Sequence, residues 1–291
     1  MEATLVLDAA ATLAEGPAWD HRRRHLVWVD IENSRVHIYH PTTSQDDVYQ
    51  LDRMVGAAVP MKTEGRLLLA LADGLAVFDL AGEKLTYVAK TEREIPGNRF
   101  NDGKCDPSGR FWAGTMSLEF APGAGSLYCL RPDYSVQTKV RNVTISNGLA
   151  WHSNGQTMYF IDSPTQQVIA YEYDPPSGAI GNPKVVIRIP PKLGTPDGMT
   201  IDADDKLWIA LWGGYGVGHW DPSTGELMDM VKVNAPHVTS CTFGGPDLDD
   251  LYITTARSGL SAKQVRQHPE SGGIFRAKPG VKGRAIAFFD A

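Results

Sequence analysis

Six short apolar runs stand out from a polar background, at residues 25–30, 66–71, 110–115, 157–162, 206–211 and 250–255. Each is too short for a helix and is rich in aliphatic, β-branched and aromatic residues, so each predicts a buried strand. A polar turn precedes every run, as in Asp106-Pro107-Ser108-Gly109 and His152-Ser153-Asn154-Gly155, where Asp, Asn, Pro and Gly supply the turn geometry. Another strand-like run follows each one, at 35–40, 74–80, 125–130, 167–173, 217–221 and 272–277. The first residues of successive apolar runs lie 41, 44, 47, 49 and 44 positions apart. Repeats of this length, each holding three or four strands, are the pattern of a β-propeller. No segment sustains a helical period, which disfavours an alternating βα architecture. The expected fold is all-β: one domain over residues 1–291, a six-bladed β-propeller of four-stranded antiparallel blades around a central channel. Two strand-like pieces are left over, at 4–7 and 285–289, and one or both are expected to complete the last blade and tie the ends together.

Composition narrows the functional classes. Gly (29) and Pro (19) are spread along the chain, as many short strands and turns require. The net charge of −6 comes from interspersed acids and bases, which argues against a nucleic-acid surface. No run of 18 apolar residues exists, so no membrane span is expected. The first residues lack a basic segment followed by an apolar one, so no signal peptide and a cytoplasmic location are expected. Cys105, Cys129 and Cys241 are too few and too scattered for a disulfide framework or a thiolate zinc site. Nothing indicates an oligomer.

Candidate chemistry sits just ahead of the apolar runs. Aligning the first strands of the repeats brings Glu15-Gly16-Pro17, Val55-Gly56-Ala57, Asn101-Asp102-Gly103, Ser146-Asn147-Gly148, Pro196-Asp197-Gly198 and Ser240-Cys241-Thr242 to equivalent places. In a propeller these strands line the channel, so Glu15, Asp102, Asn147 and Asp197 should converge at one mouth with Asn101 beside them. A single Asp-Gly or Asn-Gly is an ordinary turn signal; four acidic or amide groups at one repeat position are not. Crowded carboxylates and amides repel or stay unpaired unless a cation neutralises them. Oxygen ligands suit Ca2+, Mg2+ or Mn2+, with Zn2+ or Fe2+ open for a site of low coordination. The histidines form no rival cluster. There is no Gly-x-Ser-x-Gly elbow and no phosphate-cradling glycine loop. Asp202, in the turn of the fifth unit and away from the channel, is expected to tolerate substitution by Asn.

Glu15-Gly16-Pro17, residues 98–103 (NRFNDG), Gly114-Thr115-Met116, residues 146–149 (SNGL), Pro196-Asp197-Gly198 and Phe243-Gly244-Gly245 together resemble the SMP-30/gluconolactonase family, also called regucalcin-like or luciferin-regenerating-enzyme-like. The resemblance runs over nearly the whole chain with the motifs in order. It implies hydrolysis of a small-molecule sugar lactone with one divalent metal ion. It implies Glu15, Asn147 and Asp197 as metal ligands, Asp197 also as the catalytic acid/base, and Arg99, Asn101 and Glu119 as substrate-binding residues. The loop at 117–122 departs from the acidic pattern of the animal members, and 212–214 (WGG) is closer to bacterial sugar-acid lactonases. The same ligands would also serve a calcium-binding regulatory propeller without turnover. An esterase or organophosphatase on this fold would call for a catalytic His and more carboxylates near the metal, which the aligned motifs do not offer.

Overall fold

All six apolar runs form strands in the computed structural model, which describes all 291 residues. They appear at His25–Asp30, Arg66–Leu71, Phe111–Ser117, Thr157–Asp162, Leu207–Trp212 and Asp250–Ala256, each as the second strand of an antiparallel four-strand set. Burial falls from the first strand of a set to the last. Ala14–Asp20, Val55–Pro60 and Ser146–Trp151 are buried at every position, whereas Gln45–Gln50 and Lys84–Ala89 are half-buried or exposed. That gradient is what sheets radiating from an axis produce. The first strands pack each on the next around the axis, and the last of them, His237–Gly244, packs back on Ala14–Asp20.

The apolar core lies between neighbouring sheets. Val27 and Val29 pack with Leu67 and Leu69, and Tyr159 and Ile161 pack with Leu207 and Ile209. Trp19, Leu26 and Trp28 meet Tyr252 and Ile274, which closes the ring. Hydrogen-bonded pairing gives four sheets of four strands and one of eight. The six separate sheets expected from the sequence therefore appear as five. The eight-stranded sheet joins two four-strand sets through the single residue pair Trp212–His237. Those two rings stack with centroids 3.9 Å apart, which brings the backbones within pairing distance.

The two termini behave differently. Thr4–Leu7 pairs antiparallel with Ile274–Ala277 as the outermost strand of its set, as expected. Residues 285–289 form no strand, because the N-terminal strand already occupies that edge. The C-terminal segment instead crosses the end of the channel. Gly283 N donates to the Leu248 carbonyl, Ala203 N to that of Lys282, and Phe289 N to that of Pro60. Phe289 is fully buried beside Val59 and Phe111. Ile286 and Ala287 close a small cavity whose other walls include Gly16, Asp102, Lys104 and Ser240. One short helix, Ala262–Gln267, is inserted before the final strand and begins with a reciprocal cap between Ser261 and Gln264. No helix is long and apolar enough to cross a membrane.

The expectation for Asp202 needs correction. Its carboxylate is fully buried, accepts from the backbone N–H groups of Asp204 and Lys206 at 2.9 Å, and accepts from Trp208 Nε1 at 2.9 Å. His219 Nε2 lies 3.1 Å from the same oxygen and its ring stacks on Trp208. Asp202 thus fastens a turn to the strand behind it, and an amide, with one oxygen instead of two, cannot accept all of these bonds. Asp106 does the same for Arg110 and Trp112.

Candidate active site

Every first strand loses register with its neighbour at the same level. The shifts fall between Glu15 and Ala18, Val55 and Ala57, Phe100 and Gly103, Asn147 and Leu149, Pro196 and Met199, and Val238 and Ser240. A bulge leaves its extra residue outside the ladder and re-aims the side chains around it. Repeated around the ring, it turns polar groups of separate strands toward the axis. Glycine follows them because the strands converge there. A Cβ on Gly148 would lie 2.8 Å from Met199 Cβ, and one on Gly198 would lie 2.1 Å from Ser240 Oγ.

Glu15, Asn147 and Asp197 line one cavity of about 570 Å³, together with Arg99, Asn101 and Ser163. All six are buried, with Asn147 only 3% exposed. The Glu15 and Asp197 carboxyls each shift the other's titration, as neighbours in one cavity do. Asn147 Nδ2 donates to Ser163 Oγ at 2.9 Å, which leaves its Oδ1 buried without a partner. Arg99 Nη1 donates to Asn101 Oδ1 at 2.6 Å and to the Phe100 carbonyl at 3.0 Å. Asn101 Nδ2 donates to the Ser146 carbonyl at 2.9 Å. Asp102 faces the small cavity at the tail side instead, where its Oδ1 accepts from Gly103 N–H and its Oδ2 has no partner.

Crowding of buried acids sets the electrostatics. Burial, and then the charge of Asp102, push the Glu15 carboxyl from the ordinary 4.5 up to about 8, against the opposing pull of the Gly16 N–H and Arg99. Burial, followed by Glu15 and Asp102, holds Asp197 well above the usual carboxylate range. Burial lowers Arg99, and the charges of Glu15, Glu32 and Asp197 offset part of that. The cavity therefore holds more acidic oxygen than its single guanidinium can keep ionised. A partnerless amide oxygen beside two such carboxyls is a donor set that fits a hard divalent cation. No group of three or more His, Cys, Asp and Glu is arranged to hold a metal; this set has two carboxyls and takes its third oxygen from an amide.

Five of the six residues expected at the site meet in this cavity. Glu119 does not line it. Glu119 is exposed, with its backbone N–H bonded to Ser117 Oγ at 3.1 Å, and the next residue, Phe120, reaches the cavity wall. Ser163, Phe120, Trp212 and Glu32 are lining residues that the repeat pattern did not single out.

Comparison with known proteins finds relatives that span the whole fold. A family model described as "SMP-30/Gluconolactonase/LRE-like region" matches residues 13–257. A Bacillus subtilis protein provisionally named sugar lactone lactonase YvrE is 40% identical over 278 residues, covering 96% of this chain and 95% of that protein. Regucalcin of Xenopus laevis is 37% identical over 290 residues, covering 98% and 97%. Among solved structures, a calcium-binding protein, regucalcin, from Agrobacterium tumefaciens superposes with a TM-score of 0.95 at 29% identity over 100% of this chain and 98% of that one. A luciferin-regenerating enzyme superposes with a TM-score of 0.92 at 32% identity, over 99% and 100%. The strand repeat, the bulged ring of polar residues and the full-length likeness lead to one conclusion: the chain belongs to the SMP-30/gluconolactonase/LRE-like family.

Proposed function

We propose that the protein is a divalent-metal-dependent hydrolase of sugar lactones, built as a six-bladed propeller in which the eight-stranded sheet counts as two blades. The observation that carries the reading is the partnerless Oδ1 of Asn147 beside the buried carboxyls of Glu15 and Asp197. Those three residues would hold the cation, which supplies Lewis-acid polarisation of a carbonyl and acidifies water. Ca2+, Zn2+, Mn2+, Mg2+ and Fe2+ are all compatible with the donor set. The lactonase name of the Bacillus relative supports the choice of substrate.

The chain's own residues then divide the work. Arg99 commits only Nη1 to the protein and keeps the rest of its guanidinium for substrate oxygens, including the charge that develops on the attacked carbonyl. Asn101 has one amide N–H left for a sugar hydroxyl, and its main duty is to hold Arg99. Asp197 orients the attacking water, takes its proton and passes it to the ring oxygen as the acyl C–O bond breaks. The product is the open hydroxy acid. Burial raises the Asp197 carboxyl well above the usual carboxylate range, which makes it a better proton acceptor than an ordinary carboxylate.

A panel of aldonolactones assayed after metal reconstitution tests this reading. Turnover that disappears with chelator and returns with one cation per chain is expected. Arg99→Ala should lower kcat/KM for the best lactone by at least about tenfold; an unchanged value would leave Arg99 with only its structural bonds to Asn101 and the Phe100 carbonyl. The likeness to a regucalcin described as calcium-binding favours a second reading, a calcium-binding propeller without turnover. Stoichiometric metal with no hydrolysis of any lactone would select it.

A further inference from the structure

We propose that the outer half of the cavity binds an apolar substituent, so that the site takes δ-lactones carrying an alkyl or aryl group as well as polyhydroxylated ones. The proposal rests on the lactonase reading and names a further substrate class for that site.

The lining is divided. Its hydrogen-bonding residues, Glu15, Arg99, Asn101, Asn147 and Asp197, are each 7% exposed or less, whereas Phe120 on the open side is 62% exposed. The remaining wall includes Leu13, Met116, Phe120, Ile145, Pro196 and Trp212. Its polar side chains are already engaged: Ser258 bonds Glu32 at 2.7 Å, Thr195 Oγ1 accepts from Gln166 and Ser163 Oγ accepts from Asn147. An aldonolactone offers hydroxyls on almost every carbon, and this wall has little to pair with them. The volume of about 570 Å³ falls in the range that encloses a drug-sized ligand, well beyond a single sugar ring.

Two aromatic rings give the wall its shape. Trp212 is clamped: one face stacks on His237 with an interplanar angle of 16°, and His237 Nδ1 lies 2.9 Å from the Ser258 carbonyl. A ring fixed in this way contributes contact area without losing rotamer freedom on binding. Phe120 is 62% exposed and packs into none of the core clusters. Its backbone sits in the left-handed region at φ 56°, where bulky residues are rare, and its N–H donates to the Ser117 carbonyl at 3.0 Å. The turn thus holds a large apolar ring in water at the cavity mouth, against both hydration and backbone preference. Burial against an apolar ligand removes the first of those costs.

The test compares δ-decalactone, which carries a pentyl tail, with unsubstituted δ-valerolactone and with glucono-δ-lactone on metal-reconstituted full-length protein. Burial of roughly two methylenes is worth about tenfold, so kcat/KM for δ-decalactone should exceed that for δ-valerolactone by about tenfold or more. Phe120→Ser and Trp212→Ala should each shrink that ratio by several-fold, chiefly through KM. Affinities of the matching unhydrolysable δ-lactams, pentyl-substituted and plain, give a readout independent of turnover. A tail preference that is within twofold in both kinetics and lactam binding, or that both variants leave intact, overturns the proposal. If no lactone is turned over while the pentyl lactam still binds about tenfold tighter than the plain one, the apolar subsite stands and the lactonase reading fails.

Discussion

Replacing Ser163 by Ala removes the hydrogen bond that anchors the Asn147 amide beside the carboxyls. Ser163 Oγ accepts from Nδ2 at 2.9 Å, and that bond anchors the amide with its Oδ1 left free. The turn itself is held by main-chain bonds, from Ser163 N to the Ile145 carbonyl and from Gln166 N to that of Ser163, so Ala leaves the backbone in place. The loss to global stability should be that of one neutral hydrogen bond, about 0.5–1.5 kcal/mol. The loss in cation affinity should be larger in proportion. With the hydroxyl gone, the amide can rotate and present N–H to the cation, and the remaining ligands are two carboxyls. Removing a group that orients a ligand costs about 10–100-fold in metal affinity. Calorimetric titration of chelated protein with Ca2+ and Mn2+, alongside thermal melts, reads both quantities. Ser163→Thr keeps the hydroxyl and should recover most of the affinity. If Ser163→Ala binds the cation within twofold of wild type, Asn147 is not a ligand through Oδ1, and the assignment of the site falls with it.

Three other expectations follow from the same geometry. In chelated protein Glu15 titrates near 8 when folded and near 4.5 when unfolded, so the folded state binds the proton more tightly and stability falls as pH rises from about 4.5 to about 8; Glu15→Gln should flatten that slope in melts, and a flat wild-type profile would contradict it. Asp197→Asn keeps an oxygen ligand but cannot take a proton, so it should retain measurable metal while turnover drops by about 10²-fold or more, whereas near-normal turnover would leave Asp197 as a ligand only. Phe289→Ala empties a fully buried ring site under the channel and should cost about 3–5 kcal/mol in denaturant unfolding; a loss below about 1 kcal/mol would mean the tail is not a structural closure.

The repeat was legible because the second strands are buried on both faces, which leaves near-continuous apolar runs such as Leu67 to Leu71. The polar ring was legible for a related reason: Glu15, Asn147 and Asp197 keep nearly constant spacing to those runs, and all of them are placed by the same bulge. What escaped depends on contacts that no local pattern encodes. Ser163 meets Asn147 only because the hairpin pairing Ser146 with Asp162 folds it back, and nothing marks a serine at that spacing. The loop at 117–122 lies outside the repeat, so neither periodicity nor burial fixes whether Glu119 or Phe120 turns inward. Residues 285–289 look like a strand, but a strand needs a free edge, and the other end of the chain had taken it.

That exchange of edges has a consequence for how the molecule is made. Thr4 pairs with Arg276, 272 positions later in the chain. Until the last repeat is synthesised, the segment 4–7 has no partner and the terminal sheet has an open side. The early repeats bury their cores locally and are free to condense during synthesis, but closure must wait for the whole chain and pay the entropy of a very long loop. Prematurely terminated products would therefore carry unpaired strand edges, the kind of surface on which chains associate with one another instead of with themselves.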